Sequence, residues 1–168
     1  TGTSLGRLFN QLVIFILDGS GSMTWTGTSG KSKAEEVSLV TNNVIERLTK
    51  SRNKDCFDVI GYAFAVDTKK MIPVTSAEEV RLGHDFNPCN YIEDYRSTCA
   101  SEAFRQAEKD IESYFNKHAS AGIKTRAIVV LLSDGQLHDH AETSAITKRM
   151  LVTNKVDVCC TYFADADS

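Results

Sequence analysis

No apolar run in this sequence approaches the ~20 residues a membrane-spanning helix needs. The start carries no basic–apolar–small signal peptide. There is no C-x-x-C pair, which removes the usual zinc-ribbon and dithiol redox signatures. Positive charge is not in excess: 19 Lys and Arg face 22 Asp and Glu, a formal net charge of -3, which argues against a dedicated nucleic-acid binder. No internal repeat or linker-like stretch divides the chain, so residues 1–168 read as a single domain long enough to bury a real core. With 42% hydrophobic and 24% charged residues, the composition is that of a soluble globular protein.

Cysteine is present in an odd number, at positions 56, 89, 99, 159 and 160. Most are expected to act as small buried hydrophobes. That pattern, with no signal peptide, favours a reducing, cytoplasmic setting. A Cys89–Cys99 disulfide is the arrangement compatible with a secreted or cell-surface protein.

The chain is organised around Val13–Met23, V-I-F-I-L-D-G-S-G-S-M. Five apolar residues, Val13 to Leu17, read as a strand buried on both faces. At Asp18 the run stops, and the glycines that follow let the chain turn. Asp18, Ser20 and Ser22 then stand at every second position, so their oxygens share one side of an extended segment. Two readings are open: three oxygens converging on a hard divalent cation, or a polar turn whose side chains cap a helix.

Further along, Ser32-x-x-Glu35 forms a capping box for a helix to about Lys50. Strands follow at Phe57–Val66 and Lys69–Val74, joined tightly enough for an antiparallel hairpin. Ser76-x-x-Glu79 predicts a short helix ended by Gly83. His84–Ser97 is the longest irregular stretch, and such loops in compact domains are often functional. A helix is predicted from Thr98 to Lys117 with Ala103, Phe104, Ala107, Ile111 and Phe115 inward, broken by Gly122. Ala127–Leu132 is a central strand leading into Ser133-Asp134-Gly135-Gln136. Asp139-x-x-Glu142 reads as a capping box for a helix to Val152. Val156–Phe163 is the last strand, and Ala164–Ser168 trails off as an unstructured end.

Alternating strands and helices require a doubly wound α/β fold: a mostly parallel central sheet with one antiparallel strand and helices on both faces. Ligands of such sheets bind beyond the carboxyl ends of the strands, where the winding reverses. If the strands ending at Asp18 and before Asp134 are neighbours, their carboxylates meet there, and Thr98 reaches the same edge. Oxygen donors without His or Cys suit Mg²⁺ or Mn²⁺ rather than zinc or copper. Mg²⁺ wants six oxygens at about 2.0–2.1 Å and usually keeps several waters.

Asp18-Gly19-Ser20-Gly21-Ser22, then Thr98, then Asp134-Gly135 resembles the metal-ion-dependent adhesion site of von Willebrand factor A (integrin I-like) domains, and the resemblance runs over nearly the whole chain. It implies that Ser20, Ser22 and Thr98 are direct or switchable ligands of Mg²⁺ (or Mn²⁺, with Ca²⁺ possible). Asp18 and Asp134 would act directly or through water, and a partner protein would supply a Glu or Asp to the open position. It further implies a non-catalytic interaction module, such as the stand-alone bacterial A-domains that serve as scaffolds beside ATPases, kinases or phosphatases. An extracellular adhesin domain is the alternative setting. Two departures from the family pattern stand out. Family domains usually continue past the position of Phe163 with another helix and an edge strand, so a C-terminal helix and edge strand are expected to be missing here. The Trp25–Lys31 insertion lengthens the first loop and places Trp25 either beside the ion or over the sheet edge.

Other fragments are weaker. Gly30-Lys31-Ser32 ends like a phosphate loop, but Trp25 stands where the motif needs Gly. A metal-dependent phosphoryl-transfer or hydrolytic enzyme is the competing class, although nothing near the site supplies a general base or nucleophile. In His138-Asp139-His140, a helix cap explains Asp139 better than a second metal site does. Asp85, Glu93 and Asp94 read as solvated.

Overall fold

The computed structural model describes residues 9–153 and 155–167. Of the polar lead-in read at Thr1–Asn10, residues 1–8 lie outside that range, and Phe9 and Asn10 open the first strand. Five strands, β1 (Phe9–Asp18), β2 (Phe57–Phe64), β3 (Thr68–Ser76), β4 (Lys124–Ser133) and β5 (Val156–Tyr162), form one sheet in the order β3-β2-β1-β4-β5. β1 pairs in parallel with β2 and β4, β5 is parallel to β4, and only the β2–β3 hairpin is antiparallel. This is the doubly wound arrangement expected from the alternation.

The apolar run of β1 is the spine of the core, buried on both faces from Leu12 to Leu17. Its even-numbered residues, Leu12, Ile14 and Ile16, pack with Ala103, Phe104 and Ile111 of α2 (Ser101–Ser120) and with Ile146 and Met150 of α3 (His140–Leu151). Its odd-numbered residues, Val13, Phe15 and Leu17, pack with Ala34, Val37 and Ile45 of α1 (Lys33–Lys50). The period-two alternation of one strand thus feeds two helical layers.

α1 starts as the sequence predicts: Ser32 accepts from the Glu35 N–H, and the Glu35 carboxylate accepts from the Ser32 N–H. Gly122, at φ 74°, ends the second helix in the left-handed region. Three expectations need correction. Ser76 opens only a 3₁₀ turn, Ala77–Glu79, without a side-chain cap. The second helix begins at Ser101 rather than Thr98, and on its inward face Phe115 packs partly buried against the core beside the buried Tyr114. Cys159 and Cys160 are exposed, because β5 has only one neighbouring strand among the described residues. No disulfide forms among the described residues, so Cys89 and Cys99 remain unbridged.

Candidate metal centre

The winding of the sheet reverses between β1 and β4, and the register Leu17↔Leu132 sets Asp18 beside Ser133 at their carboxyl ends. Asp18 is fully buried, and both carboxylate oxygens are held. The Ser20 N–H donates to Oδ1 at 2.8 Å, and the Ser133 hydroxyl donates to Oδ2 at 2.6 Å. Burial pushes the Asp18 carboxyl up from its ordinary value, and the negative charge of Asp134 adds to that rise. The Ser133 and Ser20 hydrogen bonds oppose it without cancelling it. A buried carboxylate raised in this way is one that a cation would restore to its charged form.

The Gly-Ser alternation has a steric cause at Gly19, where a Cβ would meet Ile92 Cγ1 at 2.9 Å and the Pro88 carbonyl oxygen at 3.0 Å. With the Gly19 N–H on the Phe64 carbonyl and the Gly21 N–H on the Tyr95 carbonyl, the loop is pinned from β2 and from the long irregular segment. Ser20 is extended and precedes the 3₁₀ turn Gly21–Thr24, yet its side chain makes no capping hydrogen bond. This removes the helix-capping reading of Ser20. The Ser20 hydroxyl lies 3.4 Å from that of Ser22 instead, so the two oxygens sit side by side.

Asp134 follows β4 and is buried. Its Oδ2 is 2.5 Å from the Lys33 ammonium, which is itself buried and also pairs with Asp165. Burial alone would push Lys33 down, but the hydrogen bonds and charges of Asp134 and Asp165 outweigh it and hold the ammonium above its ordinary value. The Trp25 ring lies 5.5 Å from Lys33 Nζ, while Trp25 is largely exposed.

Thr98 lies three residues before α2. Its N–H donates to His138 Nδ1 at 3.3 Å, and its carbonyl accepts from the His138 N–H at 2.9 Å. The next residues are held by Asp139, whose carboxylate accepts from the N–H groups of Ala100 and Ser101 at 3.0 and 2.7 Å. Asp139 therefore caps α2 across 38 residues of chain rather than closing a capping box on its own helix. Asp18, Ser20 and Ser22 are thus drawn together directly, and Asp134 joins them through its neighbour Ser133. Thr98 is tied to the 138–139 loop and has no hydrogen bond to the other four.

The donor set fits a hard divalent cation: carboxylate and hydroxyl oxygens, one of them a serine hydroxyl released from capping. Among the described residues no cluster of three or more His, Cys, Asp or Glu is arranged to hold a metal. A cation here would therefore depend on the hydroxyls. Cys89 Sγ lies 4.0 Å from the Ser20 carbonyl oxygen, but burial, with the charge of Asp18, pushes its thiol up to about 11, which keeps it protonated at neutral pH. His138 and Asp139 are taken up in the hydrogen bonds above. Asp94 is paired with the Arg96 guanidinium, which holds it down to about 2.

Sequence reasoning missed Ser133, Lys33 and Asp165. Lys33 had one readable signal: a basic residue in the first turn of a capped helix opposes the helix dipole and needs a reason.

Residues 13–136 match the von Willebrand factor type A domain. The chain belongs to that family. Domains of this family are commonly metal-dependent protein-interaction modules and are generally non-enzymatic. Among solved structures, BatB from Bacteroides thetaiotaomicron is similar at 18% identity and a TM-score of 0.58, over 90% of this chain and 65% of that one. The manganese-loaded TRAP protein of Plasmodium vivax is similar at 17% identity and a TM-score of 0.62, over 96% of this chain and 60% of that one. A mussel byssus protein, proximal thread matrix protein 1, has 14% identity and a TM-score of 0.55, over 92% of this chain and 36% of its own. The chain therefore spans under two thirds of each of these three. At these identities the likeness speaks for the fold. No curated protein matches the sequence.

Proposed function

We propose that this domain binds a protein partner through a divalent cation held by Asp18, Ser20, Ser22, Thr98 and Asp134. The ion is Mg²⁺ or Mn²⁺, with Ca²⁺ compatible, and a Glu or Asp of the partner completes its coordination. When bound, the cation supplies the electrostatic attraction that recruits that carboxylate. The observation that carries the reading is the Asp18 corner: a buried carboxylate oriented by Ser20 and Ser133, beside two serine hydroxyls that cap no helix. In this reading Asp18 and Asp134 supply charge, the serines supply neutral oxygens, and Thr98, whose backbone is tied to the loop after β4, supplies a third hydroxyl. The manganese carried by the TRAP neighbour is consistent with this ion class. The role is adhesive or scaffolding rather than catalytic, since Lys33 is locked between two carboxylates and the Cys89 thiol is pushed up out of the reactive range. A reducing compartment belongs to the same proposal.

The test is calorimetric titration of metal-stripped protein with Mn²⁺ and Mg²⁺, alone and with acetate or an acidic peptide. One site is expected, lost in Asp18→Ala and in Ser20→Ala/Ser22→Ala. Titrations without heat under all these conditions would overturn the reading.

A further inference from the structure

Lys33 is placed against the local preferences of its helix. It is the first residue of α1 after the Ser32 cap, where the dipole disfavours a cation, and it is 2% exposed. A buried ammonium persists only with close anionic partners. Lys33 has two, drawn from the segments that follow two neighbouring strands: Asp134 after β4, at 2.5 Å, and Asp165 beyond β5. The loop that lengthens the first site serves this arrangement. Thr26 bridges Ser32, the Lys33 N–H donates to the Trp25 carbonyl at 3.0 Å, and the Trp25 ring faces the ammonium. The segment after β5, expected to trail off, instead docks on that loop. Asp165 forms a bridge with Gly27, and the Ala166 N–H donates to the Thr26 carbonyl at 3.2 Å.

Of the two carboxylates available to a divalent cation, Asp134 already carries a monovalent cation belonging to the chain itself. Asp165 holds that ammonium from the other side and shares its charge.

We infer that Lys33 is a built-in counter-cation that competes with the divalent ion for Asp134, with the docked Asp165 segment drawing it away and so setting the metal affinity of the site. This rests on the metal site proposed above. Without metal, Lys33 neutralises Asp134 and stabilises the empty corner. With metal, the two cations repel each other across one carboxylate, and the more firmly Asp165 holds Lys33, the less that repulsion costs. Lys33 is thus a positioning residue acting through Asp134.

The experiment measures Mn²⁺ affinity by calorimetry, and the thermal midpoint in chelator and in excess Mn²⁺. The proteins are wild type, Lys33→Met, Lys33→Arg and Asp165→Asn, each with and without Asp18→Ala. Lys33→Met is expected to bind Mn²⁺ about tenfold more tightly, since a like charge near the ion is gone. Its midpoint falls in chelator, where Asp134 is left without a counter-charge, and it gains more from Mn²⁺ than wild type does. Lys33→Arg restores near-wild-type affinity, and Asp165→Asn binds Mn²⁺ more weakly. Should Lys33→Met not fold, Lys33→Gln replaces it, keeping an N–H donor while removing the charge. Unchanged or weaker Mn²⁺ binding in the uncharged variant, with binding still abolished by Asp18→Ala, overturns the inference and leaves the metal site standing. Absence of Mn²⁺ binding in wild type and uncharged variant alike overturns both. Binding that needs acetate in wild type but not in the uncharged variant, and is lost in both with Asp18→Ala, supports both.

Discussion

Asp18 shows how one residue is made ready for a cation. It is fully buried, and its hydrogen bonds from Ser133 and Ser20 do not cancel the effect of burial, so its charged form is under-compensated. Ser133→Ala removes one of those donors and is expected to cost about 1–3 kcal/mol, the usual penalty for a buried polar group that loses its partner. Urea denaturation in chelator reads that loss, and excess Mn²⁺ should recover part of it. At this scale the sequence was informative where chemistry is written in contiguous residues. Asp18, Ser20 and Ser22 come together as their alternation suggested. Ser133 was not legible as a partner of Asp18, because that contact depends on which strands are neighbours.

Among the elements, the first and second helices make a contrast. The N-terminus of α1 is encoded locally, by Ser32 and Glu35 three residues apart, and was readable. The N-terminus of α2 is capped by Asp139 from another element, so the start inferred at Thr98 lay three residues too early. Asp139→Ala is expected to destabilise the domain by about 1–2 kcal/mol, the worth of a lost N-cap, and to loosen the Thr98 loop. Burial pushes the Asp139 carboxyl up, but hydrogen bonds from Ser101 and Ala100 outweigh it, and its folded pKa lies below the ordinary 3.8. Its stabilisation is therefore full above that value and fades as pH falls through the lower folded pKa. Acid titration of stability should show a shallower loss in Asp139→Ala than in wild type across that window. Gly122→Ala, at φ 74°, is expected to cost about 1 kcal/mol through left-handed strain alone, measurable by denaturant midpoint without change in metal binding.

For the whole molecule, the fold followed from alternation: a buried run flanked by capped helices admits few other topologies. What composition and periodicity left unread was long-range. The β5 cysteines looked buried by their apolar neighbours but lie exposed on a strand with one neighbour, and the acidic end docks on the first loop to reach Lys33. Because a ligand that binds only the folded state stabilises it by mass action, Mn²⁺ at a hundredfold above its dissociation constant should add about 2.7 kcal/mol. A scan of the thermal midpoint against Mn²⁺ concentration should rise accordingly, and stay flat in Asp18→Ala.

The proposed function stands or falls on a divalent cation bound at the carboxyl ends of β1 and β4. Anomalous diffraction at the manganese edge, from crystals grown with Mn²⁺, tests it most directly. A peak ligated by the Ser20 and Ser22 hydroxyls, with Asp18 and Asp134 around it, is expected. A well-diffracting crystal with no peak there, or with manganese bound only elsewhere, would contradict it.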